Sequence, residues 1–218
     1  MFFDKIKNGE RKSHPGPLGF WYNQWIKRVF DVLISLFFTI FILSWMTLIL
    51  AVISRFGSRD GIFFTQRRTC LDGKEFTCLK YRTMKSNAEA DLRQATLGDV
   101  RITAAGKILR KYSLDELPQF INVLMGDMSV VGPRPHMLAH TEQYSKKIDQ
   151  FMRRHVVKPG ITGLAQVNGY RGEIKNLSDI SQRVTLDLRY IETWSVALDI
   201  KILLLTLWVI VRGQPEAY

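Results

Sequence analysis

Cysteine is scarce in this sequence, which has only Cys70 and Cys78 among its 218 residues. The two lie eight residues apart, with neither a CxxC pair nor the spacing of a metal site, so no disulfide framework is indicated and a reducing compartment is favoured. We interpret both as structural residues. His136 and His140 have no H-E-x-x-H order and no third ligand at a recognisable spacing, which favours a helix surface over a metal site.

Acidic residues are also few: 20 Asp and Glu stand against 31 Lys and Arg, giving a formal net charge of +11 and a pI near 9.8. So basic a chain indicates a polyanionic partner. Charge alone does not distinguish nucleic acid, an anionic membrane surface and phosphorylated substrates. Internal repeats and low-complexity tracts are absent as well. The length predicts one domain of ordinary size with a short appendage.

Neither a charge nor a proline occurs in residues 32–53, VLISLFFTIFILSWMTLILAVI. About 20 such residues are enough for a helix to cross the hydrocarbon core of a membrane. The segment begins too far into the chain and runs too long for a cleaved signal, and no A-x-A-like site follows it. We predict a basic interfacial segment over residues 1–28, a retained membrane helix over residues 29–56, and a separate domain over residues 57–218.

Basic residues flank this helix on both sides, so the sequence is compatible with two orientations in the membrane. These residues are Lys27 and Arg28 before it and Arg55, Arg59, Arg67 and Arg68 after it. The positive-inside rule then gives two competing cytoplasmic ends. A simple span carries one basic flank across the bilayer, whereas a helix that enters, bends and returns satisfies both. Sharp kinks usually need proline or a Gly/Ser pair, and Ser44–Trp45 is the only candidate break.

A β-hairpin is predicted over residues 61–84, where two runs rich in Phe, Thr and Cys are separated by Asp72-Gly73. Lys80 and Arg82 lie two residues apart near its end and share one face of a strand. From the neighbouring sequence alone, Lys80 and Arg82 fit a solvent-exposed basic strand edge as well as they fit a binding site. Two short helices are predicted next, over residues 86–95 and 103–112, and the second carries Arg110.

The stretch RKYSLDELPQF, residues 110–120, places two carboxylates side by side in a basic chain. Ser113 and Glu116 match a capping box, a purely structural role. Alternatively, the helix begins at Asp115, which puts Pro118 in the first turn, where its missing N–H costs nothing. In both registers the two carboxylates lie at a helix N-terminus and point about 100° apart. We expect such a carboxylate near Arg110 to stay ionised, as a nucleophile or a Mg²⁺ ligand must be.

Further basic residues lie in unusual local contexts. Arg134 stands between two prolines in SVVGPRPHM, which fixes an extended backbone and presents a guanidinium suited to phosphate. Arg171 lies in VKPGITGLAQVNGYRG, whose four glycines predict a loop. This stretch does not end in the GKS or GKT of a Walker phosphate-binding loop, and its glycines are as readily plain turn residues. The apolar stretch in residues 199–213 is too short to span a membrane comfortably, so a core or an interfacial helix is expected.

Taken in order, several blocks resemble the bacterial sugar transferases, the monotopic phosphoglycosyl transferases. The blocks are KRVFDVLISL, FFTQRR, KYRTM, SLDELPQFINVLMGDMSVVGPRP, KPGITGLAQVNG and LDLRYIETWSVALDIKILLLT. The resemblance covers nearly the whole chain from about Lys27, and it implies that the chain corresponds to the catalytic core. It also implies an α+β fold, predominantly helical with a small β-hairpin, and a re-entrant or spanning N-terminal helix.

The family resemblance implies transfer of a phosphosugar from a UDP-sugar to polyprenyl (undecaprenyl) phosphate, releasing UMP and starting the assembly of exopolysaccharide or another surface glycan. Asp115 would be the nucleophile that forms a phosphosugar-aspartyl intermediate, and Glu116, with Asp115 beside it, would bind Mg²⁺. Phosphates would be held by Lys80, Arg82, Arg110, Arg134 and Arg171. Asp187 matches a further functional acid, placed either in the metal shell or in phosphate positioning.

The same resemblance implies a location at the bacterial inner membrane, with the domain and its C-terminal interfacial helix on the cytoplasmic face. The expected partners are UDP-sugar, polyprenyl phosphate and the lipid bilayer, without nucleic acid, and a homo-oligomer is compatible with them. PHMLAHTEQYSKKI and LAQVNGYRGE look most like members that use UDP-glucose. The rival interpretation is a non-enzymatic, membrane-anchored basic protein that binds anionic lipid or nucleic acid.

This chain has Trp45 where the family it resembles usually has a proline, and Ile62 where that family often has another. If the helix bends, we expect Ser44 and Trp45 to pack against the domain and the serine hydroxyl to bond a freed carbonyl, because unsatisfied backbone in lipid costs several kcal/mol.

Overall fold

We describe the protein from a computed structural model of residues 16–57, 61–85, 99–172, 174 and 176–212, with side chains of the first range described as far as Val52. The helices are α1 (Trp21–Phe38), α2 (Ser44–Gly57), α3 (Ala104–Lys111), α4 (Gln119–Met125), α5 (Leu138–Ser145), α6 (Leu164–Val167), α7 (Leu177–Thr193) and α8 (Val196–Arg212). The strands are β1 (Phe63–Thr69), β2 (Glu75–Tyr81), β3 (Ser129–Val131) and β4 (Gly160–Thr162). The predicted fold class, mostly helical with a small hairpin, is confirmed. The helix predicted over residues 86–95 lies outside the described residues.

Helices α1 and α2 form one continuous helix, joined by a π-helical turn at Thr39–Leu43. Ser44 keeps helical dihedral angles, φ −57° and ψ −58°, so the backbone does not break there. The Ser44 hydroxyl donates to the carbonyl of Ile40 at 2.5 Å, so it bonds a backbone carbonyl as expected, but it does so in a continuous helix and not at a bend. The predicted packing of Ser44 and Trp45 is wrong, because both side chains are exposed. Leu43 and Met46 are buried instead.

The π turn keeps one side of the long helix against the rest of the protein. In α1 the buried positions follow the helical repeat at Lys27, Asp31 and Ser35. The next buried positions, Leu43 and Met46, lie eight and eleven residues after Ser35, on the same side of the helix. The π turn at Thr39–Leu43 therefore lies between two halves whose buried residues share one side of the helix. Proline is therefore not needed for both halves to contact the domain.

Contacts with the domain occur in both halves of the long helix. In α1 the ring of Phe38 stacks on Phe120 with centroids 4.5 Å apart. In α2 the hydroxyls of Thr47 and Tyr81 lie 2.5 Å apart. The segment Trp21–Val52 is long and apolar enough to cross a membrane, by length and composition. Both of its halves nevertheless lie against the same domain, which an isolated spanning helix does not do.

The basic pair before the apolar run is used inside the protein. The Lys27 ammonium donates to Asp199 at 2.8 Å, and Arg28 donates to two carbonyls at the C-terminal end of α4, where the helix dipole favours a cation. Asp31 accepts from Ser129 and from the N–H of Val130. These contacts attach the N-terminal half of the long helix to α4, β3 and α8.

The hairpin prediction is confirmed. Strands β1 and β2 pair antiparallel, with Thr69 opposite Glu75 beside the turn. Asp72 and Gly73 both have positive φ, 55° and 72°, as a tight hairpin turn requires. Cys78 is fully buried on the inner face and Cys70 is buried beside the turn; both are free thiols, as predicted.

The second sheet was not predicted. Strands β3 and β4 pair in parallel, with Ser129 opposite Gly160. A Cβ atom at Gly160 would lie 2.1 Å from the backbone nitrogen of Gly132, and one at Gly163 would lie 2.2 Å from the carbonyl oxygen of Gly132. The interpretation of these glycines as loop residues is therefore wrong for Gly160, which lies in β4. Gly163 does connect β4 to α6, and at both positions the lack of a side chain lets two backbones approach closely.

The C-terminal helix α8 buries Asp199 and Ile202 and exposes a row of large apolar side chains. That row comprises Ile200, Leu204, Leu205, Leu207, Trp208 and Val211. The long N-terminal helix exposes a second set, which includes Trp21, Trp25, Leu33, Phe37, Phe41, Trp45, Leu48 and Val52. Together we call these two sets the apolar face. A row of large apolar side chains exposed along one helix is unusual for a soluble monomer, which favours the interfacial interpretation of α8.

Candidate active site

The two adjacent carboxylates lie in a tight turn between α3 and α4. Thr103 caps α3 by accepting from the N–H of Gly106 at 2.9 Å. After α3, Ser113 adopts a left-handed conformation with φ 56° and makes no capping bond, so the predicted capping box is wrong. The 3₁₀ turn Leu114–Glu116 follows, and Pro118 directly precedes α4, where it removes no helical hydrogen bond.

Glu116 is held by three cations that come from distant parts of the chain. Arg134 approaches it in a fork, with nitrogen–oxygen distances of 2.6 and 3.1 Å. Lys80 lies 2.8 Å from one carboxylate oxygen and Arg171 lies 2.9 Å from the other. Burial alone would raise the pKa of Glu116, but Arg134, Lys80 and Arg171 outweigh it and hold this pKa well below its usual range. The low pKa keeps Glu116 ionised through Arg134, Lys80 and Arg171 and not through Arg110, the residue named in the expectation.

Asp115 has no such partners. It is 8% exposed, and within the described part of the chain no side chain donates a hydrogen bond to its carboxylate. Burial raises the pKa of Asp115; Lys80 opposes this, Glu116 reinforces it, and Arg110 opposes it. The Arg110 guanidinium is itself oriented by a hydrogen bond to the Thr83 hydroxyl at 2.8 Å. In this turn both oxygens of the Glu116 carboxylate are occupied by cations, whereas the neighbouring Asp115 carboxylate can still accept hydrogen bonds.

Two of the predicted site residues lie apart from this group. Arg82 turns back along the hairpin and donates to the carbonyls of Gly61 and Phe63. Asp187, on α7, is 1% exposed and pairs with Arg154 at 2.6 Å. Burial raises the pKa of Asp187, and Arg154 opposes that shift. The structure brings together Lys80, Arg110, Arg134 and Arg171 around the two carboxylates, but it gives Arg82 and Asp187 other partners.

The sequence comparison decides the family. A profile described as "Bacterial sugar transferase" matches residues 22–213. The chain belongs to this family.

Several curated bacterial sugar transferases are similar to the chain. It is 50% identical over 175 residues to the UDP-glucose:undecaprenyl-phosphate glucose-1-phosphate transferase of Xanthomonas campestris pv. campestris, covering 79% of this chain and 36% of that relative. It is 48% identical over 187 residues to the protein of the same name from Klebsiella pneumoniae, covering 85% and 40%. With that of Caulobacter vibrioides the identity is 44% over 181 residues, covering 83% and 67%. The chain spans about two fifths of the length of the first two relatives.

The magnesium ion that the family resemblance implies would have two carboxylates available in this bacterial sugar transferase. No group of three or more His, Cys, Asp and Glu side chains in the described ranges is arranged to hold a metal ion. Mg²⁺ commonly takes one or two carboxylates and completes its octahedron with water and substrate phosphates. Asp115 fits that pattern, because its carboxylate has unused acceptors; Glu116 lies beside it, with both oxygens occupied by Lys80, Arg134 and Arg171.

Sequence reasoning missed two arginines at the edge of this site. Arg68 lies on the same face of the hairpin as Gln66 and Lys80, and its Nη1 donates to the carbonyl of Pro135 at 3.0 Å. The alternation of strand side chains could have identified it. Arg154 is 1% exposed in the 3₁₀ helix Phe151–Val156. So short and tight a helix has no 3.6-residue pattern, so the sequence offered no signal for Arg154.

The histidine prediction is half right. His136 is not on a helix surface: it is 6% exposed and lies between the rings of Tyr144 and Phe151, with centroids 5.7 and 5.5 Å away. Burial, reinforced by Arg154, lowers the pKa of His136 well below its usual value, so the ring is neutral. His140 lies on α5 and is half-buried.

Proposed function

We propose that this chain transfers a sugar 1-phosphate from a UDP-sugar, with UDP-glucose the best candidate, to undecaprenyl phosphate, releasing UMP. The observation that carries the proposal is the contrast between two neighbouring carboxylates, Glu116 held by three cations and Asp115 free to accept. The names of the relatives, which describe this reaction with UDP-glucose, support the choice of substrates. The start of a surface glycan such as an exopolysaccharide is the role that suits such a product.

In the first half-reaction, an Asp115 oxygen attacks the phosphorus that bears the sugar. The bond from that phosphorus to the oxygen of UMP breaks, UMP departs with the electron pair, and a phosphosugar-aspartyl ester remains. A phosphate oxygen of undecaprenyl phosphate then attacks the same phosphorus and releases the Asp115 carboxylate. Covalent catalysis of this kind divides one displacement between substrates of very different solubility.

The cations around Glu116 make the attack electrostatically feasible. An ionised nucleophile and a diphosphate repel each other, and fixed positive charge in a buried site lowers that repulsion most in the transition state. Lys80, Arg134 and Arg171 already converge on one carboxylate oxygen pair, and phosphate oxygens have matching acceptor geometry. Mg²⁺, held by Glu116 with Asp115 beside it, would neutralise further phosphate charge when bound.

The test of the proposed function is UMP release from a panel of UDP-sugars in the presence of undecaprenyl phosphate and Mg²⁺, with the protein reconstituted in lipid. We expect turnover with UDP-glucose and less with UDP-N-acetyl sugars. Omission of the lipid phosphate should reduce UMP release to at most one equivalent per protein, since the aspartyl intermediate then has no acceptor. Absence of turnover with every donor would overturn the proposal.

We also propose that the apolar face enters one leaflet of the bacterial inner membrane from the cytoplasmic side, so that the chain is monotopic. Contact of both halves of the long helix with the domain supports this arrangement, because a crossing helix would have to leave the domain. The internal use of Lys27 supports it as well, since that end is attached to α8. UDP-sugar and the lipid phosphate would then reach the site from the same face of the membrane.

This topology predicts that residues 5–12 and the domain lie on the same, cytoplasmic side. A cysteine introduced as Ser13→Cys, after replacement of Cys70 and Cys78, should resist a membrane-impermeant maleimide in intact cells and react after the cells are opened. A cysteine at Asp149, which is exposed in the domain, is the matched control for the cytoplasmic side. Labelling of Ser13→Cys in intact cells would mean a true span and would overturn the monotopic proposal, but not the chemistry.

A further inference from the structure

The segment of residues 133–136, which carries Arg134, is fixed through all four of its carbonyl oxygens. The carbonyl of Pro133 accepts from the N–H of Gly160 at 2.9 Å, and that of His136 accepts from the N–H of Thr69 at 3.1 Å. The two carbonyls between them are bound by guanidinium groups. Arg154 donates to the carbonyl of Arg134 at 2.8 Å, and Arg68 donates to that of Pro135 at 3.0 Å.

Because two residues of this segment are prolines, its backbone conformation depends on the hydrogen bonds that its carbonyl oxygens accept. Pro133 and Pro135 have no N–H, so the segment cannot be held by the alternating donors and acceptors of an ordinary strand. Their rings fix φ but leave ψ free. The rotation that would swing the Arg134 side chain away from Glu116 is therefore restrained by the two guanidinium contacts. One is to the carbonyl of the Arg134–Pro135 peptide bond and the other to the carbonyl of the Pro135–His136 peptide bond.

Both guanidinium groups are themselves held in place. The Nη2 atom of Arg154, which donates to Arg134, also lies 2.6 Å from an oxygen of Asp187. Arg68 donates through Nε and Nη2 to the side-chain oxygen of Gln66, at 3.2 and 2.9 Å. Asp187 and Gln66 thus orient the arginines, and the arginines fix the backbone of Arg134. Asp187 reaches the site through Arg154.

We propose that Arg68 and Arg154 are positioning residues that aim the Arg134 guanidinium at the substrate phosphate, and that Asp187 acts through Arg154. This inference rests on the proposed function, and it assigns Asp187 to phosphate positioning rather than to the metal shell. It predicts that the contribution of Arg154 to activity depends on Arg134. A purely structural arginine would contribute whether or not Arg134 is present.

The experiment is a double-mutant cycle. Arg154→Lys and Arg68→Lys keep the charge but replace the fixed planar fork by a flexible point donor. Each is made in the wild-type and the Arg134→Gln background. We expect each to lower kcat/KM for UDP-glucose by about 10- to 100-fold in the wild type, the range typical of residues that orient a ligand-binding side chain, and by less than about twofold in the Arg134→Gln background.

Two neighbouring arginines provide matched controls. Arg67 points to the opposite face of the hairpin, where its exposed side chain pairs with Glu75. Within the described ranges, the hydrogen bond of the Arg153 side chain is a surface contact with Gln150. Arg67→Lys and Arg153→Lys should leave kcat/KM unchanged within about twofold. Equal fold losses in the two backgrounds, or no loss in the wild-type background, would overturn the inference.

Affinity for UDP, measured by calorimetry across the same cycle, separates this inference from the proposed reaction. The wild type could fail to turn over any UDP-sugar while Arg154→Lys and Arg68→Lys still lose UDP affinity only when Arg134 is present. That result would support the positioning role and contradict the proposed reaction. Additive losses of UDP affinity would overturn the positioning role, even in an active enzyme.

Discussion

Asp115→Asn is expected to reduce the rate of UMP release by about 10⁴-fold or more, the scale seen when a catalytic nucleophile is removed. The substitution is nearly isosteric, and no hydrogen bond from a described side chain depends on the Asp115 carboxylate. Because burial raises the pKa of this carboxyl, replacing it by a neutral amide also removes an unfavourable buried charge. We therefore expect the variant to fold with a thermal midpoint equal to or above that of the wild type.

Intact mass after incubation with UDP-glucose alone measures the step directly. The wild type should gain the mass of one glucose phosphate, and Asp115→Asn should gain none. Asp149→Asn, at an exposed position, controls for a general effect of the substitution. A variant that retains a few per cent of the wild-type rate would indicate direct displacement by undecaprenyl phosphate. A basic binder without enzymatic activity would show no adduct in any variant and would hold polyanions as well or better after Asp115→Asn.

The hairpin turn and the helix that carries Arg110 could be predicted from the sequence, because neighbouring residues determine both. Asp72-Gly73 supplies the positive φ angles of a hairpin turn, and the structure uses both residues in that way. The amphipathic helix carrying Arg110 begins at a threonine cap, a one-residue signal. The parallel pairing of β3 with β4 was not foreseen, because two three-residue strands that lie almost 30 residues apart leave no periodic pattern.

The candidate site was predicted in composition but not in arrangement. Charge, prolines and the family resemblance identified Lys80, Arg134 and Arg171, and the structure brings them to one carboxylate. Sequence reasoning had no means to foresee that this carboxylate would be Glu116 rather than Asp115, because that depends on the left-handed Ser113 and the turn after it. Such backbone reversals arise from tertiary packing more than from local propensity.

Likewise, the continuity of the long helix depends on features that single-residue rules overlook. Absence of proline suggested either a straight span or an unexplained bend. The structure instead joins the two helix halves by a π turn, and it attaches the first half by buried ions rather than by lipid-facing charges. The attachment of this helix is therefore expected to be unusually sensitive to one residue, Asp199.

Asp199→Ala is expected to lower the free energy of unfolding by about 3–5 kcal/mol, the cost of leaving a buried ion without its partner. Asp199 is 1% exposed. Its carboxylate accepts from the Lys27 ammonium at 2.8 Å, the Tyr190 hydroxyl at 2.8 Å and the Trp194 indole at 3.1 Å. Truncation leaves these donors in a buried site, and it disconnects α1 from α8. The thermal midpoint in detergent, followed by tryptophan fluorescence, should fall by about 10 °C.

Two further variants separate the buried ion pair from a general effect on α8. Lys201→Ala removes an exposed charge from the same helix, and its midpoint should stay within about 2 °C of the wild type. Lys27→Met combined with Asp199→Leu removes both charges of this pair and fills the space with apolar groups, but it also takes the Lys27 ammonium from Asp31, 3.9 Å away. It should therefore be more stable than Asp199→Ala alone and less stable than the wild type. If the thermal midpoint of Asp199→Ala equalled that of Lys201→Ala, the ion pair would not be what attaches the long helix to the domain. The same conclusion would follow if the double variant were the least stable of the three.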